Sequence, residues 1–144
     1  MEKSEMTQTR ELIVDATVEN LDAVNDFIEE LLSPLECLPK NRLQIDLAVE
    51  EIFVNIANYA YGDKQGKAVI RVSICQNPPI AEFVFMDEGM PYNPLAKEDP
   101  DINLSAEQRQ IGGLGVFLVK KIADYVNYEH KDGKNVLTIQ KKLT

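Results

Sequence analysis

The chain of 144 residues has the size of one domain, and its 44% hydrophobic and 27% charged residues exclude a disordered or collagen-like protein. Its formal net charge of −9 argues against direct binding to nucleic acid or to an anionic membrane surface, since both need clustered Lys and Arg. The two distant cysteines, Cys37 and Cys75, predict neither a disulfide framework nor a zinc pair. No targeting or membrane-spanning segment is evident, so we expect a cytoplasmic protein.

The first half of the chain predicts one strand followed by two helices. Residues 11–18 are rich in β-branched side chains and are typical of a strand, whereas residues 20–32 carry apolar side chains at helical spacing. Ser33-Pro34 ends that helix, and Pro39 suits the first turn of a second helix that runs to about Tyr61.

The second half predicts four strands and one helix, at residues 67–76 (strand), 80–86 (strand), 116–125 (helix), 126–131 (strand) and 135–143 (strand). Asp132-Gly133 is a hairpin signal between the last two strands. Residues 87–110 have neither period, and such a stretch in a compact domain is often a functional lid. We therefore expect a single α/β domain over residues 1–144, a two-layer sandwich with a mostly antiparallel sheet and helices on one face.

The second helix carries a polar stripe. Gln44, Glu51, Asn55 and Asn58 share a stripe roughly 60° wide, and nearly every other residue of the segment 43–60 is apolar, which predicts a buried helix. An unpaired buried polar group costs roughly 1–3 kcal/mol. The stripe therefore suits a metal-bound, hydroxylated or phosphorylated ligand, and the alternative is a stripe that faces solvent at a sheet edge.

Two further motifs favour a ligand site. Asp87 stands at the end of an apolar strand, where it can accept a hydrogen bond from an amino group, and Gly89 lets a flat ring approach; the alternative is ordinary turn chemistry. The glycines of residues 112–115 run into a helix start, whose free N–H groups and dipole attract phosphate. The P-loop lysine is absent, and Leu118 stands where the dinucleotide fingerprint needs a small residue.

Together these motifs resemble the gyrase, chaperone, histidine-kinase and MutL (GHKL) ATP-binding superfamily. The resemblance rests on Glu51-x-x-x-Asn55, on the segment Asp87-Glu-Gly-Met-Pro91 and on Gly112-Gly-Leu-Gly115, and it covers residues 11–143. Within the superfamily the chain is most similar to the bacterial anti-sigma-factor serine/threonine kinases. The resemblance implies a Bergerat-type ATP-binding fold, with residues 93–110 as the ATP lid.

The resemblance also implies residue roles. Glu51 would be the catalytic base, Asn55 would bind Mg²⁺, and Asp87 would accept from the adenine amino group with support from Thr138. The implied nucleotide-binding set is Asn55, Asn58, Asp87, Gly89, Pro91, Arg109, Gly112, Gly113, Leu114, Gly115, Val116, Phe117 and Thr138. Relatives often carry a basic residue just before the glycine turn; here the nearest is Arg109.

The implied function is that of an ATP- and Mg²⁺-dependent protein serine/threonine kinase acting as an anti-sigma regulatory factor. Its expected partners are an antagonist of the sulfate-transporter-and-antagonist fold, a sigma factor, or both, and family members commonly form homodimers. One alternative is a non-catalytic ATP-binding switch that gates partner binding. Another is an interaction domain that binds no nucleotide.

Overall fold

The computed structural model describes residues 6–93, 95 and 113–144. A short 3₁₀ turn, Val18–Asn20, precedes the first helix. The helices and strands in chain order are β1 (Met6–Asp15), α1 (Leu21–Leu32), α2 (Pro39–Tyr59), β2 (Lys67–Cys75), β3 (Ile80–Asp87), α3 (Gly113–Ile122), β4 (Tyr125–Lys131) and β5 (Lys134–Lys142).

The strands form one antiparallel sheet of five strands in the order β1-β2-β3-β5-β4. β3 lies at the centre, where it pairs with β2 along one edge and with β5 along the other. The predicted two-layer α/β fold with a mostly antiparallel sheet is confirmed. The β4–β5 hairpin is also confirmed, and both of its turn residues, Asp132 and Gly133, have positive φ, as a type I′ turn requires.

The two faces of the sheet differ in burial. Along β3 the side chains of Ala81, Phe83 and Phe85 are fully buried, while those of Val84 and Met86, which alternate with them, are half-buried. The buried set continues the core that α1 and α2 form with the sheet. Because successive side chains of a strand point to opposite faces, one face of the sheet carries the helices and the other is the more open face.

Two expectations about the elements were wrong. β1 begins at Met6 rather than Glu11, since its polar first half pairs with β2 as far as Cys75. α2 is not buried all round, because Leu43 is 60% exposed and Leu47 is 39% exposed. Its core contact is made by one face, which consists of Ile45, Ala48, Val49, Ile52 and Phe53. Apolar composition alone does not reveal which apolar residues of a helix meet the sheet.

Two smaller expectations can be checked in the described residues. Cys37 and Cys75 are both free thiols, and burial raises the pKa of the Cys37 thiol. No helix within residues 6–93, 95 and 113–144 is both long enough and apolar enough to cross a membrane.

The alternation along β3 predicts unequal effects of two adjacent substitutions. We expect Phe83→Ala to lower the free energy of unfolding by about 3–5 kcal/mol, because it opens a cavity in the core. Val84→Ala, the control on the open face, should cost clearly less. Urea unfolding followed by circular dichroism measures both, and equal losses would contradict the assignment of the two faces.

Candidate functional site

A cleft opens between the helices and one end of the sheet. Its empty volume, including its open mouth, is about 620 Å³. α2, α3, the end of β3, β4 and β5 all contribute lining residues. The apolar wall consists of Ile52, Ile56, Phe85, Val119 and Leu137, and the polar lining includes Glu51, Asn55, Asp87, Tyr128 and Asn135. An apolar cleft with a few converging polar groups is the usual form of a small-molecule site.

Glu51 and Asn55 lie one turn apart on α2, and both line the cleft. Each side chain is half-buried. Within the described part of the chain, no hydrogen bond or ion pair engages the Glu51 carboxylate or the Asn55 amide. Both side chains are therefore available to a ligand in the cleft.

Asp87, the last residue of β3, is only 7% exposed. Its Oδ1 accepts hydrogen bonds from the Gly89 backbone N–H (2.9 Å) and from Asn135 Nδ2 (2.8 Å). Its Oδ2 accepts no hydrogen bond from any residue that the structure describes. A buried carboxylate with one satisfied and one open oxygen is suited to accept a hydrogen bond from a ligand's amino group.

Asn135 connects Asp87 to the chain that follows it. Nδ2 donates to Asp87 Oδ1 and also to the Met90 carbonyl oxygen (2.9 Å). Oδ1 accepts from the Tyr128 hydroxyl, in a short hydrogen bond, and from the Tyr92 backbone N–H (3.3 Å). All four hydrogen-bonding positions of this 7% exposed amide are filled.

Gly89 allows the end of β3 to lie against the end of α2. A Cβ at Gly89 would stand 2.1 Å from the Ala60 carbonyl oxygen, a distance that no side chain tolerates. The same carbonyl accepts a hydrogen bond from the Met90 N–H (2.8 Å). Within the described residues, Gly89 is therefore required by backbone packing, whereas the sequence analysis attributed it to room for a ring.

Tyr61 stabilises the turn that follows β3. Its hydroxyl donates to the Lys67 carbonyl oxygen (2.6 Å) and accepts from the Glu88 N–H (2.8 Å). Burial, followed by the negative charges of Asp87 and Glu88, raises the pKa of the Tyr61 hydroxyl. The phenol therefore stays protonated at neutral pH and keeps its donor role.

The structure corrects the expectation for Thr138. Thr138 pairs with Val84, on the open face of the sheet, while Asp87 shares the opposite face with Phe85. Because strand side chains alternate, Thr138 points away from Asp87 and cannot support it. Asn135 pairs directly with Asp87 and occupies that role instead.

The remaining predicted residues divide into three groups. Asn58 and Pro91 are exposed and do not line the cleft. Arg109, Gly112 and nearly all of the predicted lid, residues 93–110, lie outside the described residues. The first turns of α3 contain Gly113, Leu114, Gly115, Val116 and Phe117, so the predicted glycine turn is here the start of the helix itself.

The sequence analysis missed Asn135 and Tyr128. Both follow from the register of the last hairpin, which sets Asn135 opposite Asp87 and Tyr128 opposite Leu137. The Asp132-Gly133 turn fixes the β4–β5 register. The partner of Asp87, however, depends on the pairing of β5 with β3, which no local motif encodes.

The donor atoms of the cleft decide whether it can hold Mg²⁺. Among the described residues, no cluster of three or more His, Cys, Asp or Glu side chains forms a ready-made metal cage. Glu51 and Asn55 nevertheless offer oxygen atoms to the cleft. This donor set fits Mg²⁺, which commonly takes one or two protein oxygens and completes its coordination with water and substrate phosphates.

The antiparallel sheet, the helices on one face and the cleft beside Glu51 and Asn55 define an ATP-binding domain of the GHKL type. A family model described as the histidine kinase-like ATPase domain matches residues 14–141. The chain belongs to that family, whose members are ATPase-type domains, and ATP is therefore the nucleotide that the cleft is expected to take.

Two known proteins are similar to the chain. The serine/threonine-protein kinase BtrW of Bordetella bronchiseptica is 27% identical over 136 residues, which is 94% of each protein. The crystal structure of the RsbU and RsbW domains of Rv1364c from Mycobacterium tuberculosis matches 95% of this chain with a TM-score of 0.67 and 15% identity. This chain spans 33% of the length of the crystallised chain, and the likeness establishes the fold.

The contact between Gly89 and Ala60 predicts a sensitive position. We expect Gly89→Ala to lower the free energy of unfolding by about 1–3 kcal/mol, because the methyl group forces the end of β3 away from α2. Glu88→Ala is the matched control, since Glu88 is exposed and only its backbone N–H is used. Thermal unfolding compares the two, and a Gly89→Ala protein as stable as the control would contradict the close packing.

Proposed function

We propose that the chain is an ATP-dependent protein serine/threonine kinase that acts as an anti-sigma regulatory factor. The observation that carries the proposal is the arrangement of one cleft. It combines a buried carboxylate, Asp87, among apolar residues with Glu51 and Asn55 on the cleft wall, and neither of these two side chains has a hydrogen-bonding partner among the described residues. The first group suits a nucleobase amino group, and the second suits a phosphate chain and a hydroxyl.

At the nucleobase end, the adenine ring would lie among Ile56, Phe85 and Leu137. Its amino group would donate to Asp87 Oδ2, the oxygen without a hydrogen bond from the described residues. An apolar wall provides contact area for a flat ring, while the single charged acceptor orients it. The apolar area and the buried acceptor thus supply affinity and orientation, respectively.

At the other end, Glu51 would act as general base. Its carboxylate would take the proton of a serine or threonine hydroxyl on a protein substrate. The hydroxyl oxygen would then attack the terminal phosphorus of ATP, and ADP would leave with the bond to that phosphorus broken. Asn55 would hold a Mg²⁺ ion through its amide oxygen. When bound, Mg²⁺ neutralises phosphate charge, which matters for a chain of net charge −9.

We extend the proposal to the segments that the resemblance implies. The start of α3, with Gly113 and Gly115 in its first turn, would present backbone N–H groups to the phosphates. Residues 93–110 would form the lid, with Arg109 as its cationic residue. The position of Val119 of α3 on the wall of the cleft supports this arrangement.

The protein substrate in this proposal is an antagonist of the sulfate-transporter-and-antagonist fold. Its phosphorylation would add a charge of about −1.5 to −2 and weaken its complex with this acidic chain. The Bordetella relative, named as a serine/threonine-protein kinase, supports the assignment of the phosphoryl acceptor. Binding of a sigma factor and formation of a homodimer are parts of the same proposal.

A non-catalytic ATP switch is the second candidate function. A switch needs a nucleotide site but no base, whereas Glu51 stands in the cleft without a hydrogen bond or ion pair in the described residues. This placement favours the kinase. Loss of transfer without loss of ATP binding in a Glu51 variant distinguishes the two.

Glu51→Gln tests the general base. We expect transfer of phosphate from ATP to an antagonist protein from the same genome to fall by about 10²–10⁴-fold, because Gln keeps the shape but cannot take a proton. Calorimetry should give nearly the same dissociation constant for Mg-ATP. Glu50→Gln is the control, since Glu50 is the exposed neighbour outside the cleft. A Glu51→Gln protein that transfers phosphate at the normal rate would eliminate the role.

Asp87→Asn tests the nucleobase contact. We expect ATP binding to weaken by about 1.5–3 kcal/mol, the usual value of a hydrogen bond to a charged group. Calorimetry with ATP and with inorganic triphosphate separates base binding from phosphate binding, since only the former should change. Glu88→Gln is the control. An unchanged dissociation constant for ATP would rule out Asp87 as the acceptor.

A further inference from the structure

Asn135 and Tyr128 form a hydrogen-bonded pair, here called the clamp, and Asn135 in turn donates to Asp87. Asn135 is 7% exposed, and the Tyr128 hydroxyl donates to its Oδ1. Both residues line the cleft beside Asp87. The proposed function uses neither of them, although they provide the best-satisfied polar network in the described part of the site.

The partners of the clamp allow only one orientation of the Asn135 amide. Nδ2 faces two acceptors, Asp87 Oδ1 and the Met90 carbonyl oxygen. Oδ1 faces two donors, the Tyr128 hydroxyl and the Tyr92 N–H. A flipped amide would set its oxygen against the two acceptors and its NH₂ group against the Tyr92 N–H, which would cost three of the four hydrogen bonds, since the Tyr128 hydroxyl can also accept.

Asp87 and Asn135 form the polar end of the cleft, here called the floor, and this orientation leaves their side chains with an acceptor and no donor for a ligand. Both hydrogens of Asn135 Nδ2 are engaged, and the Gly89 N–H is engaged by Asp87 Oδ1. Of these two side chains, Asp87 Oδ2 is the atom left open by the described residues, and it accepts. A 6-amino purine donates at this position, whereas a 6-oxo purine presents a carbonyl oxygen and would set one acceptor against another.

We propose that Asn135, held in one orientation by the Met90 carbonyl and the Tyr92 N–H, is the positioning residue that makes the pocket select a 6-amino purine over a 6-oxo purine. The inference rests on the proposed ATP site and names what sets its selectivity. Asn135 acts through Asp87, because it has no hydrogen-bonding capacity left for the ligand. Tyr128 acts one step further back, because its hydroxyl fills the second position on Asn135 Oδ1 and so holds the amide in place.

The clamp also fixes the chain that leaves β3. Asn135 holds the Met90 carbonyl, and the Tyr92 N–H is shared between Asn135 Oδ1 and the Tyr128 hydroxyl, at 3.3 Å from each. Residues 90–92 and the Asp87 carboxylate are thus held by the same amide. A change in the clamp should therefore alter the polarity of the floor and not only the strength of binding.

The test compares Mg-ATP with Mg-ITP by calorimetry on the full chain. The two nucleotides differ only at one edge of the base, where the 6-amino group and bare N1 of adenine are replaced by a 6-oxo group and an N1–H. We expect the unaltered protein to bind ATP at least about tenfold more tightly than ITP. Tyr128→Phe keeps the ring and removes the hydroxyl, and it should lower the ATP/ITP ratio at least about threefold. Asn135→Asp should bring the ratio near one, since the charge of a second carboxylate favours a protonated Asp87, and a hydroxyl at its open oxygen can donate to a 6-oxo group.

Tyr125→Phe is the matched control for the loss of a hydroxyl. Tyr125 lies on the same strand as Tyr128, but it is 48% exposed and pairs with Gln140 on the open face. Its substitution should leave both affinities unchanged. Thermal unfolding of each variant shows whether it is folded, and Tyr128→Phe provides the answer if Asn135→Asp does not fold.

The outcomes separate this inference from the proposed function. If Tyr128→Phe and Asn135→Asp weaken ATP and ITP by the same factor, the clamp is only structural and the inference is overturned. Equal affinities of the unaltered protein for ATP and ITP would also overturn it and leave kinase activity intact. An unaltered protein that binds neither nucleotide in the presence of Mg²⁺ would refute the proposed function itself.

Discussion

The hydrogen bond from Asn135 Nδ2 to Asp87 Oδ1, at 2.8 Å, is the contact on which the candidate site depends. A carboxylate that is 7% exposed is stable only where donors replace water. Asn135 supplies one donor from the neighbouring strand, and Gly89 supplies another from the turn. Because both reach the same oxygen, the other oxygen accepts no hydrogen bond from the described residues, and Asp87 lines the apolar cleft. The two hydrogen bonds to Oδ1 thus stabilise the buried Asp87 carboxylate and also leave its second oxygen to act as an acceptor.

This contact is a product of the sheet rather than of a local motif. The pairing of β3 with β5 sets Asn135 opposite Asp87, and the close approach of Gly89 to Ala60 sets the end of β3 against α2. α2 in turn carries Glu51 and Asn55 to the wall of the same cleft. Elements far apart in the chain thus meet at one end of the central strand, where the sheet and the helices together line the open cleft.

Local patterns predicted most of this architecture. Helical spacing located α1 and α2, alternation located β2, and Asp132-Gly133 located the last hairpin. Glu51, Asn55 and Asp87 were also found from motifs, because their spacing along one helix and their place at a strand end are visible in the chain. Thr138 was misplaced and Asn135 was missed for the same reason. The face on which a β5 side chain lies is set by register, and the register of two non-adjacent strands is a tertiary property. The exposed Leu43 and Leu47 show the same limit for α2.

The central claim is that one cleft holds a nucleobase at Asp87 and a phosphate chain beside Glu51 and Asn55. A crystal structure of the chain with Mg²⁺ and a non-hydrolysable ATP analogue tests it most directly. We expect the adenine amino nitrogen to lie within about 3 Å of Asp87 Oδ2 and the phosphates to lie between Asn55 and the start of α3. An analogue bound elsewhere, or an adenine ring turned away from Asp87, would contradict it.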